Sequence, residues 1–266
     1  MKIPLTSILI DGRVIDLEVT VDLEASRIEA RVFLPTNYPI TVLGDKYRDR
    51  EIFLLAFSIY NKDKKGTEIE KYSELLKGLL EGVDKHCIFI HEFFFYPKLS
   101  DVEMTGEEKM AFGGLGKKVM CLVFNLISNK FPLIPERTLV VLEASGNVRS
   151  RSNSDLRESE IMNMDKDSLI RLVEKYNILQ LDGFSDMFKK KEDRELFNAS
   201  SNTWKGLSKK KLANTLTYFI LNYEDNLILA GYYSRNYGFD IVYDMSFSHI
   251  LMATNVSTIL RYCKRV

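Results

Sequence analysis

The chain of 266 residues is poor in cysteine: it has three, standing far apart at Cys87, Cys121 and Cys263. There is no CxxC pair and no Cys/His cluster with zinc-ligand spacing, so no zinc site of the usual kind is encoded. His86-Cys87…His91 has no third ligand nearby and predicts no metal. An odd, scattered set of cysteines also argues against a disulfide scaffold and for a reducing, cytoplasmic setting, with Cys121 packing as a small core residue. Net charge is missing as well. The 37 basic and 37 acidic residues cancel, which speaks against a general nucleic-acid surface. No uncharged apolar run reaches the roughly 18 residues of a membrane helix, and Met1-Lys2-Ile3-Pro4 opens no apolar leader. No internal repeat and no long linker is visible. What remains is ordinary for a globular protein, 45% apolar and 28% charged residues, in one large domain or two small ones.

The N-terminal part reads as antiparallel strands. Asp11-Gly12 is a hairpin signal between Thr6–Ile10 and Val14–Val21. Ile15, Leu17, Val19 and Val21 alternate with polar residues, as do Ile28, Ala30, Val32 and Leu34, so each strand has one buried face. Another strand is predicted over 51–58. A helix is predicted over 68–81, with Thr67 and Glu70 at capping-box spacing. A dense apolar strand, 87–96, ends at Pro97, and its Phe93, Phe94 and Phe95 read as core. A polar loop then leads to Gly113-Gly114-Leu115-Gly116-Lys117-Lys118, a helix over 115–127 and a buried strand over 137–144. Residues 148–165 read as a mobile surface loop. Helices follow at 168–176, 209–222 and 226–236, then strands at 239–244 and 248–253 and a short terminal helix. Trp204 reads as partly buried; His86 and His249 read as structural or exposed.

The glycine turn is the feature with chemistry in it. A glycine turn between a strand and a helix lets the backbone approach a ligand closely. The first helical amides lack internal acceptors, and the helix dipole adds positive charge there. Lys117 and Lys118 add cations, so phosphate oxygens are natural occupants. Tight strand–helix packing is the alternative use of such glycines. The P-loop pattern fails because Lys118 and then Val119 follow Lys117, and GxGxxG fails because Val119 stands where the third glycine belongs.

Phe112-Gly113-Gly114-Leu115-Gly116-Lys117-Lys118-Val119-Met120 resembles the pyrophosphate loop of the GNAT superfamily of acyl-CoA-dependent N-acetyltransferases. Gly114 and Gly116 fall on the glycine positions of that motif, and Ala111 stands where Arg or Gln is expected. Downstream, Asn226, then Tyr233 seven residues later, then Gly238-Phe239 resemble the family's late helix and the strand after it. The tyrosine-to-glycine step is five residues where four is usual, so Tyr232 and Tyr237 stand as alternatives to Tyr233. The resemblance covers 86–147 and 226–254.

It implies an α/β (mixed α+β) fold: a central mixed sheet with antiparallel N-terminal strands and helices on both faces. It further implies a single domain over 1–266, with an inserted, mainly helical segment at about 148–225. Acetyl-CoA would be the co-substrate, with no metal, held by Gly114, Leu115, Gly116, Lys117, Lys118 and Asn226. Transfer would go by direct attack of a small amine or a peptide or protein amine. Tyr233 would protonate the leaving thiolate. Glu92, inside an apolar strand that would raise its pKa, would take the amine proton, with His91 on the opposite face of the strand. The alternatives are a catalytically inactive GNAT-fold component of an assembly, which would have oligomer or assembly partners, and an unrelated α/β binding module.

Overall fold

The computed structural model describes residues 1–10, 12–23, 27–35, 51–61, 65–81, 85–95, 110–130, 136–145, 151–176, 203–244 and 250–264. His249 and most of the polar loop after Pro97 lie outside them. The chain divides into two compact units, one of residues 1–143, 233–242 and 252–266, the other of residues 144–232 and 243–251. The predicted insertion, 148–225, falls inside the second unit.

The first unit opens on β1 (Lys2–Ile10), β2 (Arg13–Leu23), β3 (Arg27–Phe33) and β4 (Glu51–Asn61). These form an antiparallel meander with β5 (His86–Phe95). The Asp11-Gly12 signal sits at the first reversal, where Ile10 pairs with Arg13 and Gly12 takes φ +70. The alternation predicted for β2 and β3 is realised: Leu17, Val19, Val21, Ile28, Ala30 and Val32 are all buried. Each of the Leu, Val and Ile side chains contributes about 1.5–3 kcal/mol when fully removed from water. On the wet face Arg31 pairs with Glu29 at 2.8 Å and Glu51 at 3.0 Å, while Arg27 reaches Glu29 at 2.7 Å.

The predicted 68–81 helix is two pieces, α1 (Glu68–Lys71) and α2 (Ser73–Leu80), broken at Tyr72. Thr67 is the N-cap but its side chain makes no capping bond, and Glu70 accepts from the amide of Gly66, so the predicted capping box is not what holds this end. Tyr72 is buried and stacks on Phe89 of β5 with ring centroids 6.2 Å apart. Tertiary packing of that ring takes precedence over helix continuity.

After the glycine turn come α3 (Leu115–Lys130) and β6 (Leu139–Ala144). β5 and β6 run parallel, with Cys87 beside Leu139 and Ile90 beside Leu142. Phe124 of α3 stacks on Phe57 of β4 at 5.7 Å. Phe57 and Phe89 point to opposite faces of the sheet, so helices cover both. The protein is thus mixed α/β, as the sequence predicts. Among the described residues eight strands lie in the order β1-β2-β3-β4-β5-β6-β8-β7, where β7 is Asp240–Asp244 and β8 is Ile250–Asn255. The terminal helix α7 (Val256–Cys263) is capped by Asn255, whose side chain accepts from the Thr258 amide at 2.8 Å.

Two sequence-based expectations about cysteine are corrected here. Cys121, on α3, is half-buried and disulfide-bonded to Cys263 at the end of α7, with Cα atoms 5.4 Å apart. Distance along the chain, 142 residues, concealed proximity in space.

In the second unit, residues 151–163 are helix α4 (Arg151–Asn163), not the predicted loop. α5 (Lys166–Lys175) and a 3-10 turn at Thr203–Gly206 follow. α6 (Lys209–Tyr237) is one continuous helix where two were predicted. Ile161, Leu169, Val173, Trp204, Leu212, Leu216 and Phe219 form this unit's core. Arg157 donates to Glu224 at 3.0 Å, and the Tyr176 hydroxyl donates to the same carboxylate at 2.7 Å. Polar residues that read as loop from sequence are therefore fixed by partners on another helix. Glu224 also holds the Arg157 guanidinium above its ordinary pKa.

Candidate functional site

The turn that opens α3 is built by three backbone bonds. The amide of Gly113 donates to Met110 O at 3.2 Å, Leu115 to Phe112 O at 3.1 Å and Lys118 to Gly114 O at 3.1 Å. The amides of Gly116 and Lys117 have no acceptor among the described residues, as expected for the first turn of a helix. The first turn of α3 carries no acidic residue, so its field stays positive.

The two glycines serve different needs. Gly114 takes φ +74, which side-chain-bearing residues rarely adopt, and a Cβ there would meet nothing within 4 Å. It is exposed, and its backbone is open to an approaching group. Gly116 is buried, and a Cβ on it would lie 3.0 Å from Cζ of Phe93. It serves strand–helix contact, the alternative use foreseen for such glycines. Leu115 is buried beneath the turn. Lys117 is half-buried, and the exposed Lys118 donates from Nζ to Thr6 Oγ1 of β1 at 2.8 Å.

β5 is irregular beside this turn. Its register against β4 shifts between Ala56 and Phe57, which pair with Glu92 and Ile90. His91 is thus an extra residue, a β-bulge. The described parallel pairs with β6 also end at Ile90 and Leu142. Strand alternation predicts His91 and Glu92 on opposite faces; the bulge overturns this. Glu92 pairs with Ala56, and His91 Nε2 lies 2.8 Å from Oγ of Ser58, two residues from Ala56 on the same face. Both side chains therefore point to the face away from α3. Glu92 is half-buried and His91 exposed.

Phe93 takes the other face, edge-on to Phe53 at 5.2 Å and to Tyr233 at 5.5 Å. Tyr233 is buried among Phe93, Tyr237 and Phe239, and Tyr237 is also fully buried, whereas Tyr232 is half-buried. The glycine turn, Phe93 and Tyr233 are brought to one side of β5, and Glu92 is placed on the other. Asn226 is buried on the part of α6 that belongs to the second unit.

Gly238, which opens the Gly-Phe pair, has φ +71, and its amide donates to Ser234 O at 3.0 Å. It ends α6 as a left-handed C-terminal glycine. A Cβ there would lie 2.6 Å from Thr258 Cγ2 and Tyr262 Cε2, so α7 packs directly on it.

No family model, curated protein or solved structure matches the chain. Among the described residues, no group of three or more His, Cys, Asp or Glu side chains could hold a metal ion. Among them, too, no helix is long and apolar enough to cross a membrane. Two features of the site escaped sequence reasoning. The bulge carried a faint signal, the polar pair His91-Glu92 inside an apolar run; the Ser58–His91 bond carried none, because it depends on register.

Proposed function

We propose that the protein is an acyl-CoA-dependent N-acetyltransferase of GNAT type, cytoplasmic, where acetyl-CoA is available. The observation that carries the reading is the unit from β5 to β6. A bulged strand is followed by a turn with a left-handed glycine, a helix whose Gly116 and Lys117 amides lack acceptors among the described residues, and a parallel strand. That donor set fits a pyrophosphate: neutral amides and a positive helix end meet two anionic groups without requiring a buried countercharge. The amides of Gly116 and Lys117 grip the pyrophosphate where the backbone at Gly114 and Leu115 leaves it access, with the Lys117 and Lys118 ammonium groups beside it. The amine of a small molecule, peptide or protein then attacks the thioester carbon. The C–S bond breaks, a base takes the amine proton and an acid protonates the thiolate. Glu92 and Tyr233 are the residues proposed for these roles.

A second reading, a GNAT-fold binding component without turnover, draws on a specific observation: Glu92 projects from one face of β5, and Tyr233 of α6 packs on Phe93 at the other. Titration of acetyl-CoA into the protein tests both readings at the level of binding. Absence of heat and of any thermal shift at millimolar ligand defeats both. Binding with full turnover in Glu92→Gln and Tyr233→Phe retains the acetyltransferase and removes these two residues from its chemistry.

A further inference from the structure

We infer that Cys121 and Cys263 form a reversible thiol–disulfide switch that ties the C-terminal end of α7 covalently to α3 when closed and removes that tie when open. The inference is independent of the acetyltransferase reading. Three observations carry it.

The first is apposition. The two Cα atoms are 5.4 Å apart although 142 residues separate them in sequence, within the span a disulfide needs without backbone movement. The second is exclusivity. The remaining cysteine, Cys87, is fully buried, and burial pushes its thiol up to about 12. It can neither compete for a partner nor attack the bond, because the thiolate is the exchanging species. Cys121 and Cys263 are both half-buried, so a small thiol can reach them.

The third is the way α7 is held. Its N-terminal end is fixed by the backbone: Val256 donates to Thr138 O at 3.1 Å and Ser257 to Glu136 O at 2.9 Å. Asn255 caps the same end. The helix has eight residues and buries Val256 and Ile259, both toward that end. The disulfide is at the last helical residue, Cys263. Opening it therefore leaves α7 docked through Val256, Ile259 and the packing of Thr258 and Tyr262 on Gly238, and removes only the covalent tie to α3. Because α3 begins at the glycine turn, the redox state acts on the helix that carries the candidate site.

Closing consumes a small-molecule disulfide such as oxidised glutathione. Both S–H bonds are lost and the protein S–S bond forms. The S–S bond of the oxidant breaks, and its two sulfurs leave as thiols carrying the two protons and two electrons. A reducing cytoplasm holds the pair open, and oxidation closes it.

The test equilibrates the full-length protein with reduced or oxidised glutathione, blocks free thiols with N-ethylmaleimide in denaturant, and maps the adducts by mass spectrometry. Expected is one adduct, on Cys87, after oxidation, and adducts on all three cysteines after reduction. Closing a loop of this length should raise Tm by about 10 °C. Cys263→Ser and Cys121→Ser should show the lower Tm with or without reductant. Free Cys121 and Cys263 in the oxidised, folded wild type, glutathione adducts on either of them, or a wild-type Tm indifferent to reduction would each overturn the switch.

Discussion

Replacing Gly238 by alanine probes the joint between α6, β7 and α7. Two costs combine. The backbone sits at φ +71, a left-handed conformation that costs a side-chain-bearing residue about 1–2 kcal/mol. The new methyl would also begin 2.6 Å from both Thr258 Cγ2 and Tyr262 Cε2, and forcing a methylene into a packed site costs about 1–3 kcal/mol. The sum runs from about 2 to about 5 kcal/mol. Gly114 provides the internal control: its φ is +74, but no atom lies within 4 Å of its Cβ position. Gly114→Ala should cost about 1 kcal/mol, and the difference between the two variants isolates the packing. Equilibrium urea unfolding of wild type and both variants measures it. Equal losses in the two variants, or a Gly238→Ala loss under about 1 kcal/mol, would refute the close docking of α7 on Gly238.

Three further outcomes are expected. Glu92→Gln and Tyr233→Phe should each slow acetyl transfer at least tenfold while leaving acetyl-CoA affinity unchanged, as read by thiol release and by titration. The Arg31 guanidinium holds the Glu29 carboxyl below its ordinary range, so this pair stabilises the fold above the ordinary carboxylate value, about 4.3. That contribution fades as pH falls through the lower, folded value. Glu29→Gln should therefore be less stable than wild type at pH 7 by under about 1 kcal/mol, with the gap closing below about pH 4, as followed by denaturant midpoints. Arg157→Ala should cost about 1–2 kcal/mol in the same assay, because it strips a half-buried Glu224 of its charged partner.

Local signals carried much of the fold. The hairpin signal closed by Gly12, the alternation in β2 and β3, and the helix that follows the glycine turn each encode structure within a few residues, and each is found where predicted. The misses were decided by distant partners. α4 is too polar to announce itself; Ile161 in the core and Arg157 against Glu224 hold it. Glu224 and the buried Asp225 lie between the two helices predicted at 209–222 and 226–236, yet α6 runs through them. The bulge at His91 and the Cys121–Cys263 bond depend on register and on the meeting of α3 with α7, which no local pattern specifies. Of the candidate site, the glycine turn was legible. The facing of Glu92 was not, because one extra residue in β5 reverses it.

The central claim is that the turn before α3 grips the pyrophosphate of acyl-CoA. Its most direct measurement is the amide 1H–15N spectrum of deuterated protein during titration with coenzyme A. The largest shifts are expected at the amides of Gly114, Leu115, Gly116, Lys117 and Lys118, saturating together, with inorganic pyrophosphate moving the same set more weakly. An unchanged spectrum at millimolar coenzyme A, or saturable shifts that leave these amides still, would contradict it.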